Sequence, residues 1–311
     1  MIFFTDVSII TMPDSVKQVA IQGITGSYHE IAARQFFGNS TGNVNGGKNI
    51  GILECHNFPS VITKIKENPA NLGLMAIENT IAGSLLQNHE LIRTSGLTIA
   101  GEYKLRISHC LAALPGTKIQ DIKCVASHPM ALRQCEVFLE TELPNADVVE
   151  RNDTASSAQW ISENKLEHCA AVCSKEAAAE FHLEILAREI ETDRHNFTRF
   201  LMLANREAAQ RYFEEQGNGY LKNKASLVFA LPHSVGSLSK VLTILSFYDL
   251  NLTKLQSFPL VGSEWQYSFY IDFTYTDYYV YQRAIDAVLP LTRELRILGE
   301  YAEFQSPPEF N

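Results

Sequence analysis

HNFTRFLML, His195–Leu203, places a hydroxyl (Thr198) and a guanidinium (Arg199) between two phenylalanines at the mouth of an apolar run. The run reads as a buried strand, and two polar groups side by side at its entrance need a reason. One is local: threonine is a good β-former, and an arginine at a strand entrance can reach solvent. The other is that the strand opens into a cleft. Its place in the chain bears on the choice, because it follows one α/β unit and brings the chain back to an earlier one.

The earlier unit begins with VKQVAIQG (Val16–Gly23), a strand that stops at Gly23. In ITGSYHEIAARQFFG, residues Ile31, Ala32, Gln35 and Phe36 recur at helical spacing after a Gly-Ser turn. A polar, glycine-rich loop covers 38–49; FPSVITKIKEN gives a helix, and LGLMAIEN a buried strand ending at Glu78-Asn79. Such alternation predicts a sheet with parallel members. The second unit opens with LTIAGEYKLRISHCLAAL, which alternates as a strand pair. Three strand–helix segments follow: IKCVASHPMALRQCEVFLE, VVERNDTASSAQWISEN (with Asp153 or Thr154 as N-cap) and HCAAVCSKEAAAEFHL. The chain then crosses back through EILAREIETDRHNFTRF. Two lobes joined by crossing strands leave a cleft between them.

These readings place one domain at 16–204, with lobe one at 16–96 and 190–204 and lobe two at 97–189. A charged, helical linker follows at 205–224. From 225 to 305 the pattern becomes β-α-β-β-α, with AEFQS as a last strand, a ferredoxin-type α/β sandwich.

The 311 residues are 46% hydrophobic and 20% charged, an ordinary soluble composition. A net charge of −9 argues against a nucleic-acid surface, which needs a basic face; a local cationic pocket for a small anion is still compatible with it. Six scattered cysteines show neither a disulfide rhythm nor a CxxC unit and read as reduced thiols of a cytoplasmic protein. The N-terminal MIFFTDVSIITMPD is a poor signal peptide, because Asp6 interrupts it and no basic residue precedes it. No segment approaches the ~20 uninterrupted apolar residues of a membrane helix.

Small polar clusters close the strands and open helices: Thr25-Gly26-Ser27, Asn79-Thr80 with Ser84, Ser127-His128, and Thr154-Ala155-Ser156-Ser157. Each alone is a cap. Several aimed into one crevice would form an anion receptor, since helix N-termini carry unpaired N–H groups and partial positive charge.

Taken in order, QGITGSYHEIAARQFF, IENTIAGSL, ISHCLAAL, SHPMALRQC, DTASSA, CSKEAAAEF and NFTRFLML resemble the prephenate dehydratase family. ASLVFALPHSVGSLSKVL, NLTKLQSFPL and WQYSFYIDF resemble its C-terminal regulatory ACT domain. The resemblance implies a two-lobed, periplasmic-binding-protein-like dehydratase domain with a central cleft, plus a ferredoxin-like α+β ACT domain. It implies a carbon–oxygen lyase that converts prephenate to phenylpyruvate, carbon dioxide and water in L-phenylalanine biosynthesis, with no cofactor and no metal.

By the same resemblance Thr198 is the catalytic residue. Thr25, Gly26, Ser27, Asn79, Thr80, Ser84, Ser127, Thr154, Ser156, Arg199 and Phe200 bind substrate, and Glu78 or His109 is an acid or proton relay. L-Phenylalanine would bind at Gly236, Ser237, Leu238, Asn251 and Leu252, between ACT domains paired in a homodimer or homotetramer. Met130 stands where the family usually has glutamine, Thr80 where it has serine, and Gln256 and Phe258 where it has glutamate and arginine. No chorismate mutase bundle precedes the dehydratase segments, which implies a monofunctional enzyme. Arogenate dehydratase and a non-catalytic amino-acid-binding regulator are the rival readings.

Overall fold

The computed structural model describes residues 17–39, 50–217, 220–259 and 267–304. The N-terminal apolar stretch and most of the glycine-rich loop lie outside them. Lobe one runs β1 (Gln18–Gln22), α1 (Tyr28–Asn39), β2 (Gly51–Cys55), α2 (Phe58–Glu67), β3 (Leu72–Asn79), the short β4 (Gly83–Ser84), α3 (Leu86–Ser95) and β5 (Thr98–Arg106). Lobe two holds β6 (Cys110–Ala113), β7 (Cys124–Ser127), α4 (Pro129–Gln134), α5 (Glu136–Glu142), β8 (Asp147–Glu150), α6 (Thr154–Glu163), β9 (Cys169–Cys173), α7 (Lys175–Glu180) and β10 (Glu184–Arg188). The chain returns as β11 (Phe197–Ala204) and leaves through α8 (Arg206–Gln216).

The first sheet has the order β2-β1-β3-β11-β5, and the second β10-β6-β9-β7-β8. β5 is therefore the edge strand of lobe one's sheet. The expected boundary at residue 97 moves to the crossing at 107–109, because an alternating strand looks alike in either sheet. The caps behave as their chemistry dictates: Asn57 accepts from Ser60 N–H at α2, and Asp153 from Ser156 N–H at α6.

β11 reads as a nearly continuous apolar run because both of its faces are covered. Phe200 and Met202 pack toward α1 and α8 with Val19, Phe36 and Tyr212. Leu201 and Leu203 face the other way, among Val61, Ile65 and Ile92 of α2 and α3. That second layer also takes in Val228, Tyr270, Leu298 and Tyr301 of the C-terminal domain.

The C-terminal domain comprises β12 (Lys224–Ala230), α9 (Ser237–Phe247), β13 (Asn251–Pro259), β14 (Tyr267–Thr274), α10 (Tyr278–Val288) and β15 (Arg293–Tyr301). Its strand order, β13-β14-β12-β15, is the ferredoxin-like one. Among the described residues the last strand is Arg293–Tyr301, which 302–304 do not extend, while the end of AEFQS lies outside them; Pro290 stops the helix, and RELRILGEY then runs along β12.

Two histidines, half-buried His29 and buried His89, make the stability of this arrangement depend on pH. His29 of α1 lies edge-on to Phe200, and burial pushes its pKa down to about 4. His89 of α3 sits between Tyr270 and Phe258 of the C-terminal sheet, with neither ring nitrogen hydrogen-bonded. Burial first, and then the Lys254 charge, bring its pKa to about 3. Both values lie below the ordinary 6.5, so the folded state binds fewer protons than the unfolded one. The associated stability is complete above pH 6.5 and is lost as pH falls toward these lower values. For His89 alone the loss amounts to about 2 kcal/mol by pH 5. Urea midpoints should drop between pH 7.5 and 5, and His89→Leu should flatten part of the slope. Midpoints that do not move would mean that both imidazoles take up protons in the fold at their ordinary pKa.

Candidate functional site

β11 enters lobe one beside the end of β3, pairing Thr198 with Asn79. Asn79 Oδ1 accepts from the N–H groups of Ile81 and Ala82, at 3.0 and 2.8 Å. That fixes the amide, so its Nδ2 donates to Thr198 Oγ1 (3.0 Å), Asn196 Oδ1 (2.7 Å) and Phe197 O (3.1 Å). Thr198 is thereby the acceptor within the protein, and its half-buried hydroxyl keeps its proton to donate elsewhere. Thr80 anchors the same entrance: its Oγ1 donates to His195 O (2.7 Å) and accepts from Phe197 N–H (2.9 Å).

A buried polar chain continues from there into lobe two. Asn196 Nδ2 donates to Gln134 Oε1 at 3.0 Å, and His109 Nε2 lies 2.9 Å from the same oxygen. An amide oxygen only accepts, so His109 carries a proton on Nε2, while Tyr28 Oη, 2.8 Å from Nδ1, has Ser108 O as a second acceptor for its single proton at 2.7 Å. Burial pushes the His109 pKa down, against the Gln134 hydrogen bond and the Glu191 charge. Of the two expected roles, acid or relay, a neutral imidazole hydrogen-bonded to Gln134 fits a link in the polar chain. Asn196, Gln134 and Tyr28 were not singled out from the sequence, although Asn196 and Gln134 fall inside the NFTRFLML and SHPMALRQC segments. The signal available was a polar side chain at a strand entrance or helix end, which by itself reads as a cap.

The other expected substrate-binding groups are engaged by their own chain. Thr25 gives both its N–H and its hydroxyl to Glu54 Oε1 (2.7 and 3.0 Å), and Gly26 gives its N–H to Glu30 Oε2 (2.6 Å). Ser27 accepts from Glu30 N–H, the local cap of α1. Gly26 also meets lobe two: Ser174 Oγ donates to its carbonyl, and its φ of +86° keeps the chain close to Ala177. Ser127 is wholly buried and donates to Val172 O. Ser156 N–H and Oγ bond Asp153, while Thr154 is buried in the first turn of α6. Ser27 and Asp153 cap their helices, whereas Thr25 and Ser127 bond distant parts of the chain.

Arg199 and Phe200 are corrections as well. Alternation along β11 turns Phe200 into the α1-side core and Arg199 to the opposite face, away from Thr198. There Arg199 binds Glu78, Glu102 and Asp272. Burial would raise the Glu78 carboxyl, but the Lys254 hydrogen bond and the Arg199 and Lys254 charges hold it below the ordinary value. An ionised Glu78 locked between two cations has no proton to give. Ser84 accepts from Lys254 Nζ on this same side (2.9 Å).

A cavity of about 680 Å³ lies between the lobes, with Tyr28, His109 and Phe197 in its wall. Lys104, Arg106, Lys175, Arg188 and Arg194 outnumber Glu176 and Glu189 around it; Arg106 pairs with Glu189 and Glu191, Arg194 with Glu189 and Lys175 with Glu176, and the wall keeps a cationic excess next to the polar chain. Among the described residues no group of three or more His, Cys, Asp or Glu side chains could hold a metal ion, and no helix is long and apolar enough to cross a membrane. All six cysteines are free thiols.

A sequence model of prephenate dehydratase matches residues 19–208, the span that carries both lobes and the Thr198–Asn79 pair. The chain belongs to the prephenate dehydratase family. Arogenate dehydratase 5 of Arabidopsis thaliana is 34% identical over 97% of this chain and 71% of its own. The Arabidopsis arogenate dehydratase/prephenate dehydratase 6 is 33% identical over 97% and 73%. Prephenate dehydratase from Arthrobacter aurescens, solved in complex with L-Phe, aligns at TM-score 0.77 and 26% identity over 92% of this chain and 90% of its own. A quorum-quenching acylase aligns equally well, at 0.77 and 28% identity over 93% and 98%, so the fold alone does not assign the chemistry.

In this prephenate dehydratase family member the expected effector residues lie together at one end of the C-terminal domain's sequence pattern, but not all in one environment. Gly236 (φ +75°) turns the chain into α9, and Ser237 Oγ donates to Pro232 O. Leu238 is half-buried against the domain core and forms one wall of a shallow hollow with Leu242 and Phe247. Asn251 and Leu252 begin the edge strand β13 and are exposed. Phe258 packs on His89 in place of the family's charged side chain.

Proposed function

We propose that this chain is a prephenate dehydratase regulated by L-phenylalanine through its C-terminal ACT domain. The observation that carries the reading is the half-buried Thr198 hydroxyl, which accepts from Asn79 and so keeps its own proton, beside Phe197 in the cavity wall. In prephenate the bond from the ring to its carboxylate breaks, its electron pair completes the aromatic ring, and the ring hydroxyl departs. Aromatisation supplies the drive. The enzyme has to hold a dianion and stabilise the departing oxygen, which becomes water on taking a proton. A donor aimed at that oxygen strengthens its hydrogen bond as negative charge develops.

The excess of cationic over acidic side chains in the cavity between the lobes favours prephenate over arogenate, whose ammonium it would repel. The relatives named as arogenate dehydratases favour the second reading, arogenate as substrate. Phenylpyruvate release from prephenate, followed in the ultraviolet, and phenylalanine release from arogenate give the two kcat/KM values. We expect prephenate to be preferred by at least about tenfold, a difference of one charge contact. A preference for arogenate would reverse the assignment, and turnover of neither would leave a binding protein.

L-Phenylalanine bound to the Arthrobacter enzyme supports an effector role here. Calorimetry should register L-phenylalanine binding, with pairing through the free edge of β13, where Leu252 and Leu255 are exposed. Absence of binding heat, with kinetics insensitive to phenylalanine, would reduce the ACT domain to an assembly module.

A further inference from the structure

Behind the Thr198–Asn79 pair lies a buried cluster built from both domains. Arg199 Nε bonds Glu102 Oε2 at 2.7 Å, Nη1 bonds Asp272 Oδ2 at 2.6 Å and Glu78 Oε1 at 3.1 Å, and Nη2 donates to Tyr301 Oη at 3.1 Å. Lys224 Nζ donates to the other oxygen of Glu102 (2.9 Å), and Lys254 pairs with Glu78. Ser226 Oγ donates to Asp272 Oδ1 and lies 2.7 Å from Tyr301 Oη. Three cations face three carboxylates, with Glu303 at the rim 3.7 Å from Lys224. Arg199 is 6% exposed and Asp272 not at all. Burial alone would lower the Arg199 pKa, but Asp272, Tyr301, Glu102 and Glu78 raise it well above the ordinary value, so the guanidinium stays charged.

The placement of this cluster matters more than its strength. On β11 and β3 the register pairs Thr198 with Asn79 and Arg199 with Glu78 as successive rungs. Successive rungs point to opposite faces. One rung carries the reacting hydroxyl, and the next is clamped to Lys254, Asp272 and Tyr301 of the C-terminal sheet. A shift of that sheet therefore cannot move Arg199 and Glu78 without moving the backbone that aims Thr198.

We infer that Arg199 is a positioning residue, and that through it the seating of the C-terminal sheet sets the turnover of Thr198. The guanidinium is buried, on the face of β11 opposite Thr198, with its donors taken by protein carboxylates and Tyr301. Its planar fork suits simultaneous grips on carboxylates from two domains, which a lysine could not reproduce. The inference rests on Thr198 being the catalytic donor.

Its test uses the full chain and two side chains of the C-terminal domain that contact Arg199 but neither Thr198 nor Asn79. Asp272→Asn removes one charge at constant shape, and Tyr301→Phe removes one hydroxyl. Displacements of about 1 Å at a reacting group cost up to about a hundredfold in rate. Asp272→Asn should lower kcat by about tenfold or more with KM within about threefold, and Tyr301→Phe should act in the same direction by about threefold. Arg199→Lys should recover part of the turnover that Arg199→Met loses. Rates are taken well below each variant's thermal midpoint, so that instability alone does not enter; if Asp272→Asn does not fold, Tyr301→Phe carries the test.

A raised KM with intact kcat in Arg199→Lys would return the residue to substrate binding. Wild-type kcat in a folded Tyr301→Phe and Asp272→Asn would make the cluster structural only. Either result overturns the inference. Thr198→Val separates it from the reading beneath: if that variant keeps its turnover, the catalytic assignment fails on its own.

Discussion

Thr198→Val should lower kcat by about a hundredfold or more and leave KM within about threefold, as expected for loss of one donor that acts mainly in the transition state. Valine keeps the β-branched shape, so β11 should enter the sheet unchanged. The hydroxyl is lost on both sides: Asn79 Nδ2 loses an acceptor at 3.0 Å, and the departing oxygen loses its donor. Asn79 retains Asn196 Oδ1 and Phe197 O, so the entrance stays anchored and the effect falls on chemistry, not folding. Thr198→Ser keeps the donor with a looser rotamer and should retain measurable activity. Steady-state kinetics with prephenate and an unchanged circular dichroism spectrum check the claim together. Near-normal turnover of the valine variant would remove Thr198 from the mechanism.

The sequence carried the two-lobed plan and the C-terminal domain because both follow from periodicity and from turn chemistry at Gly23, Asp153 and Gly236. The proposal for Thr198 comes from the wording of NFTRFLML and awaits the valine variant. The sequence misassigned Arg199 for a physical reason. Adjacency in a strand means opposite faces, and nothing in a linear pattern says that a second sheet covers the far face. Phe200 shares Thr198's side of the sheet but lies deeper, under α1, a depth that periodicity does not encode. Glu78, read as an acid next to Asn79, turned out to be the rung behind it, neutralised by Lys254 and Arg199 from distant parts of the chain. Ser27 and Ser156 followed the local rule that short polar side chains at helix starts bond the nearest backbone, whereas Thr25 bonds Glu54 from β2. Gln134 and Asn196 escaped notice because their role depends on a contact between lobes, 62 residues apart in sequence.

Gly299→Ala should then loosen the seating of the C-terminal sheet that the Arg199 cluster depends on. Gly299 lies on β15 opposite Ser226, two residues before Tyr301. A Cβ there would stand 2.1 Å from the Ile99 carbonyl oxygen and 2.7 Å from Ile99 Cβ. The obstacle is backbone, and Ile99 is tied into β5 by its pairing with Leu203, so it cannot turn aside as a side chain could. Either β15 lifts off lobe one or β5 is pushed toward β11. Overpacking of this kind costs about 1–3 kcal/mol, more where no side chain can yield, and we expect a loss of about 3 kcal/mol in urea unfolding. Relief by lifting β15 withdraws Tyr301 from Arg199 and disturbs the partners of Asp272, so kcat should fall alongside stability, even at temperatures where the variant is folded. Gly299→Ala with a wild-type midpoint would mean that β15 and β5 do not touch in solution. A lowered midpoint with wild-type kcat would mean that the sheet is seated for stability alone.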